Sequence, residues 1–183
     1  LSDLYKFKRE FSNAKELTGV VSKEGIISNE SAVMEIAWLE YMQGNTDKAL
    51  EIFENEFSEF TNGTVLEEDI EEYTAERIYY YSEFLRASGQ IEKADLYAKK
   101  LYSFYTNSIK NDEFLQNFMR YNFAVGCYYV SNRKKEFLDY LEDVFFNKKN
   151  RLGWYTKMKS GHYVLFENDP DYQRLFQEIE KET

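Results

Sequence analysis

The sequence predicts an all-α protein, a solenoid of about three helical hairpins set between a leading helix and a closing C-terminal helix. Three observations carry this expectation. Apolar residues recur at helical spacing along most of the chain. One Pro and eight Gly, the latter mostly between the periodic stretches, are too few turn residues for a sandwich or barrel. One corner pattern returns: "GNTDKALEIF" at 44–53, "GQIEKADLYA" at 89–98 and an eroded "NRKKEFLDYL" at 132–141. With 183 residues, 43% of them hydrophobic, the chain has enough apolar material for a core.

Taken in order, Leu4, Phe7, Phe11 and Leu17 make the stripe of an opening helix at roughly 2–20, within a leading segment 1–25. The first hairpin spans 29–60. Asn29 or Ser31 can cap its first helix, Gly44 sits where a left-handed C-cap residue belongs, and Thr46 or Asp47 can cap the second helix, whose stripe is Ala49, Leu50, Phe53 and Phe57. The second hairpin spans 67–106 and turns at Gly89; acids gather in the first turn of its leading helix, where the helix dipole favours them. The third spans 111–147 and turns at Asn132. In the closing segment 150–183, "NRLGWYTKMKSGHYVLF" reads as one short helix. It is followed by a better marked one, with Asp169 as N-cap, Pro170 at the first helical position and Tyr172, Leu175, Phe176 and Ile179 as its stripe. The whole, 1–183, reads as one helical-repeat domain.

Gly44 to Gly89 and Ala49 to Ala94 are both steps of 45, while Gly89 to Asn132 and Ala94 to Phe137 are both steps of 43. A small residue just inside the second helix lets two helices cross closely, and the residue four further on lies one turn along the same face. Ala37, Gly44, Ala49 and Phe53 in the first unit, Ser82, Gly89, Ala94 and Ala98 in the second, and the degenerate Val125, Asn132, Phe137 and Leu141 in the third follow this scheme. The pattern resembles the tetratricopeptide repeat, over roughly residues 30–146. It departs from that family in its longer period, against about 34 residues, and in lacking the proline that closes each repeat. The terminal "NDPDYQRLF" also looks like the short closing segment that often follows such arrays. The resemblance implies a right-handed α-solenoid, a TPR-like superhelix.

Chemistry-bearing motifs are sparse. His162 is the one histidine and Cys127 the one cysteine; there is no G-x-S-x-G, no phosphate-binding glycine loop, no calcium loop and no zinc ligand set. The expectation is a non-enzyme with no cofactor and no metal. Net charge is −10, with ten acids and no Lys or Arg between Glu51 and Glu76, so direct nucleic-acid binding is not expected. That run reads as a solvated helix start and linker, in preference to an acidic catalytic site near Glu67–Glu72. No apolar run approaches the ~20 residues of a membrane span. A lone cysteine favours a reducing, cytoplasmic setting.

Aromatic residues make up 18% of the chain, and most must be core. The resembling family binds ligands along the concave surface of its leading helices. Carried over position by position, that surface would hold Met34, Trp38 and Tyr41, then Tyr79, Glu83 and Arg86, then Asn122, Gly126 and Tyr129. Trp38 and Tyr41 have an equal alternative in packing against the opening helix. The expected function is therefore a scaffold or adaptor domain for protein binding, taking a peptide or helix in the groove. The alternative is an accessory or dimerisation domain of an enzyme or transcription regulator, which Leu1 in place of Met suggests, with self-association left open.

Overall fold

The computed structural model describes residues 8, 10–67, 71–109, 126–147 and 163–182, and these residues form helices, turns and bends with no strand. The elements are α1 (Phe11–Lys23), α2 (Asn29–Met42), α3 (Thr46–Glu56), two single turns α4 (Ser58–Thr61) and α5 (Thr64–Glu67), α6 (Glu72–Ala87) and α7 (Ile91–Phe104). They continue with α8 (126–130), α9 (Lys134–Glu142), a 3-10 turn (Val164–Phe166) and α10 (Pro170–Glu182). One turn of π-helix extends α7 (Tyr105–Ile109) and another extends α9 (Asp143–Asn147).

The repeated corners share one backbone geometry. Gly44 and Gly89 have φ of 84° and 83°, and Asn132 takes their place with φ 54°. In each corner the N–H after the left-handed residue reaches back to the same helical carbonyl: Asn45 to Glu40, Gln90 to Leu85 and Arg133 to Tyr128, at 2.9–3.0 Å. This is the Schellman closure, and it makes a left-handed residue obligatory at the corner. Gly25 (φ 68°) closes α1 in the same way, with Ile26 N–H on the Val21 carbonyl. Because a Cβ opposes this conformation, Gly89→Ala should lower stability by about 1 kcal/mol, whereas Asn132→Gly should not lower it; equilibrium urea unfolding of the variants measures both.

The next helix then starts without a side-chain cap at Asn45, Gln90 or Arg133, and its first i→i−4 bond is donated by Ala49, Ala94 or Phe137 respectively. Thr46 and Asp47 lie inside α3, so neither caps it: the chain turns too tightly, and the Asn45 amide donates to the Glu40 carboxylate (2.9 Å). Ser28 caps α2 in place of Asn29 or Ser31, because its backbone is extended (ψ 157°) and its Oγ accepts the Ser31 N–H. Asp169 caps α10 through the N–H groups of Asp171 and Tyr172, with Pro170 at the first helical position, and Tyr172, Leu175 and Ile179 are buried.

Three segment limits differ from the sequence reading, the first being the opening helix, which runs Phe11–Lys23 rather than roughly 2–20. The second helix of the first hairpin ends at Glu56, not near 60, with a break at Phe57 (φ −114°, ψ 70°). The break leaves the Phe60 carbonyl outside a continued helix, and the buried Tyr97 hydroxyl donates to it (2.6 Å). The leading helix of the second hairpin starts at Glu72 rather than 67. The acidic stretch is also less isolated than its sequence suggests, since Arg77 pairs with Glu30 and Glu59, and Lys93 with Glu54.

Packing joins α2 to α3 and α6 to α7 as hairpins, sets α1 against α2, and lays α6 on both helices of the preceding pair. Ala37, Ala49, Ala94 and Ser82 are fully buried at the close crossings, as the small residues of the repeat require. At the third corner the equivalent residue is Phe137, whose ring packs on Phe166 (5.1 Å), Tyr163 (5.1 Å) and Tyr172 (6.3 Å) of the C-terminal segment. Val125 lies outside the described residues. One contiguous core runs from Ala37 to Ile179, centred on aromatic rings such as Phe53, Phe60, Tyr81 and Tyr97.

Candidate functional site

Three residues one helix apart meet at a single carboxylate. Tyr41 on α2 and Tyr129 on α8 each donate a hydroxyl hydrogen bond of 2.7 Å to Oε1 of Glu83 on α6. Glu83 is 3% exposed, Tyr41 7% and Tyr129 0%. Burial pushes the Glu83 carboxyl up to about 7 against the opposing pull of its two phenol donors and of Arg86, and burial also raises the Tyr41 and Tyr129 phenols. Oε2 of Glu83 is buried with no hydrogen-bond partner.

The aromatic wall beside this carboxylate comes from α2 and α6. Trp38 stands over Tyr41 (5.0 Å), Tyr80 (5.1 Å), Tyr79 (6.1 Å) and Phe84 (6.1 Å). Gly126 lets α8 approach α6 closely: a Cβ there would lie 3.3 Å from the Tyr79 ring. Arg86 donates to the Val130 carbonyl (2.9 Å) and pairs with Asp95 (2.5 Å), which ties α6 to α8 and to its own hairpin partner.

Of the positions expected on an open groove, Met34, Tyr79 and Arg86 are half-buried, while Trp38, Tyr41, Glu83, Gly126 and Tyr129 are buried. Asn122 lies outside the described residues, as does His162. The expectation that Trp38, Tyr41, Glu83 and Tyr129 line an accessible face is thus corrected in this structure. Leading helices packed this closely turn the large rings onto one another. The row is also covered: Leu165 N–H donates to the Tyr129 hydroxyl (2.5 Å), and Tyr163 and Phe166 set their rings 5.3 and 5.2 Å from that of Tyr129.

Sequence reasoning missed this covering segment. Its signal was present as the run "YVLF" one residue before the "NDP" cap, too short and irregular for a helical stripe. It also missed Glu40, 3% exposed between Lys15, Lys48 and Asn45. The Lys15 hydrogen bond, aided by Asn45 and Lys48 against the cost of burial, holds this carboxyl at about 2. An acid inside "AWLEYM" was the available hint.

Cys127 is buried with its thiol directed at the Leu101 carbonyl (3.6 Å), and burial pushes its pKa up, so it is not poised as a nucleophile. Among the described residues no group of three or more His, Cys, Asp and Glu is arranged to hold a metal, and no helix is long and apolar enough to cross a membrane. An open depression between α9 and α10, edged by Lys135, Leu138, Glu142, Arg174 and Glu178, mixes both charges and lies apart from the tyrosine–carboxylate cluster. What the cluster can do chemically is make one more hydrogen bond at Glu83 Oε2, as donor when the carboxyl is protonated and as acceptor when it is ionised, and pack apolar or aromatic groups against the rings around it. Compared with family models, with curated proteins and with solved structures, the chain matches none.

Proposed function

We propose that this chain is a TPR-like scaffold or adaptor: a right-handed solenoid of three helical hairpins whose concave face, formed by the leading helices, binds a peptide or helix of another protein without catalysing a reaction. The observation that supports this reading is the meeting of Tyr41, Glu83 and Tyr129, one from each leading helix, at one carboxylate oxygen. Three further features support it. The corners repeat one geometry, α6 lies on both helices of the preceding pair, and small residues sit where the helices cross. A helical hairpin cannot bury its apolar stripe alone, so repeated hairpins stack and create an extended face. Aromatic and arginine side chains on such a face are the usual anchors of recognition.

The test uses the half-buried members of the row, because Arg86 holds the Val130 carbonyl and its removal would perturb packing. In affinity capture with the full chain, the double variant Met34→Ala/Tyr79→Ala should lose at least about tenfold in affinity for a partner held by the unmodified protein, a loss equal to two modest anchors. Circular dichroism checks that the helices persist. A partner retained equally by both proteins would remove the groove from the reading.

A further inference from the structure

The row that a concave-face ligand would touch is not vacant. Tyr163, Leu165 and Phe166 lie on its Tyr129 end: the first and last by their rings on Tyr129 and on Phe137 behind it, and Leu165 by its main-chain N–H on the Tyr129 hydroxyl, which itself donates to Glu83. The Leu165 side chain, 37% exposed, faces away from the core, so the segment engages through two rings three residues apart and one backbone donor. That is how a short peptide is held in a groove, here supplied by the same chain.

The fit is incomplete in one respect. Glu83 Oε2 stays buried without a hydrogen-bond partner, and leaving such an atom unsatisfied costs a folded protein stability. A peptide from outside that brought a hydrogen-bond partner to this oxygen, an acceptor for the protonated carboxyl or a donor to the carboxylate, would gain what the internal segment lacks. Against that gain, the internal segment has the advantage of its covalent link, an effective concentration on the order of millimolar.

We infer that residues 163–166 act as an internal surrogate ligand, and that the partner of this groove is a peptide segment carrying two aromatic side chains three residues apart, which binds by displacing them. The inference rests on the concave-face reading for its partner, but the seat itself can be tested alone. The rings of Phe166 and Tyr163 pack on Tyr129, Phe137 and Tyr172 of α8, α9 and α10, so removing them empties the seat while the Phe53, Phe60, Tyr81 and Tyr97 cluster of the first two hairpins keeps its own contacts.

The probe is the capped hexapeptide of Tyr163–Asn168, added to the full chain and to its Tyr163→Ala/Phe166→Ala variant, with binding followed by fluorescence anisotropy of a labelled copy. The peptide should bind the variant at least about tenfold more tightly than the unmodified chain, whose own segment competes at millimolar effective concentration. It should also restore hydrogen-exchange protection to α8. A control peptide with alanine in place of both rings should not bind. Equal binding to both proteins, or binding to neither while α2, α3, α6 and α7 keep their exchange protection, overturns the inference. Should the variant unfold beyond α8, Tyr129→Phe replaces it: the ring stays, the acceptor of the Leu165 N–H goes, and faster exchange of that amide with tighter peptide binding is expected. Unchanged exchange and unchanged binding count against the seat. Peptide binding without a Met34- and Tyr79-dependent partner would keep the seat and remove the recognition function; the converse would keep recognition and remove the surrogate.

Discussion

Glu83→Ala should destabilise the protein by about 3–5 kcal/mol, the scale seen when one member of a buried polar network is removed. Two buried phenols, those of Tyr41 and Tyr129, would lose their acceptor at once, and the α2–α6–α8 connection would be left to apolar packing and to the Arg86 bond on the Val130 carbonyl. Glu83→Gln keeps the shape and an acceptor oxygen, and distinguishes charge from hydrogen bonding. With the folded carboxyl raised to about 7 from an ordinary 4.5, the native state holds a proton that the unfolded chain releases. Stability from this group is therefore complete below pH 4.5 and is lost as pH rises through 7, a total of about 3 kcal/mol. Urea unfolding from pH 5 to pH 8 should show this decline in the unmodified protein and a flatter profile in Glu83→Gln. Parallel profiles would exclude Glu83 as its source. Glu40 works in the opposite direction and in another window: lowered to about 2, it supports the fold above pH 4.5 and loses that support only as pH falls toward 2.

Phe53→Ala should cost about 3–5 kcal/mol by leaving a cavity at the joint between the first two hairpins. Phe53 is fully buried, stacked on Tyr81 (5.2 Å) and in contact with Phe57 (4.7 Å), Phe60 (5.2 Å) and Phe84 (6.0 Å). These neighbours belong to α6, to the single turn α4 and to the break between α3 and α4, so they cannot close the gap without separating α3 from α6. The same truncation at Leu96, which is 56% exposed on α7, should change stability by no more than about 0.5 kcal/mol. Chemical unfolding of the two variants makes the comparison. A loss at Phe53 as small as that at Leu96 would mean that the aromatic cluster is not the joint.

Tyr81 shows how this joint combines packing with charge. Its ring is fully buried between Phe53, Phe60 and Tyr97, while its hydroxyl donates to Glu54 (2.5 Å) and accepts from Lys93 (2.6 Å). Three elements, α3, α6 and α7, are thus fastened at one phenol. Glu54 belongs to the acidic stretch that reads in sequence as solvated surface. Its partner comes from the next hairpin, beyond the reach of a local reading.

Corners, stripes and the Asp169 cap were legible because each is a local necessity. A Schellman turn needs a left-handed residue, so Gly44, Gly89 and Asn132 mark it; a proline without an N–H fits the first turn of a helix, so Asp169 and Pro170 mark the start of α10. The conserved step between corners placed Ala49 and Ala94 at crossings, and both are fully buried. The sites themselves were half legible. The tetratricopeptide resemblance put Tyr41, Glu83 and Tyr129 on one concave face of the leading helices, but did not set them facing one another.

What the sequence by itself determined is the helical segments and the repeated corner, since these depend on residues within a turn or two of one another. Only the tertiary structure decided that the row closes on the Glu83 carboxylate, that Trp38 turns its ring toward Tyr79 and Tyr80, and that Tyr163–Phe166 lie over Tyr129. The physical reason is range. Dihedral preferences and capping bonds act between neighbours in the chain, whereas exposure depends on which distant segment packs last against a face, and Leu165 reaches Tyr129 from 36 residues away.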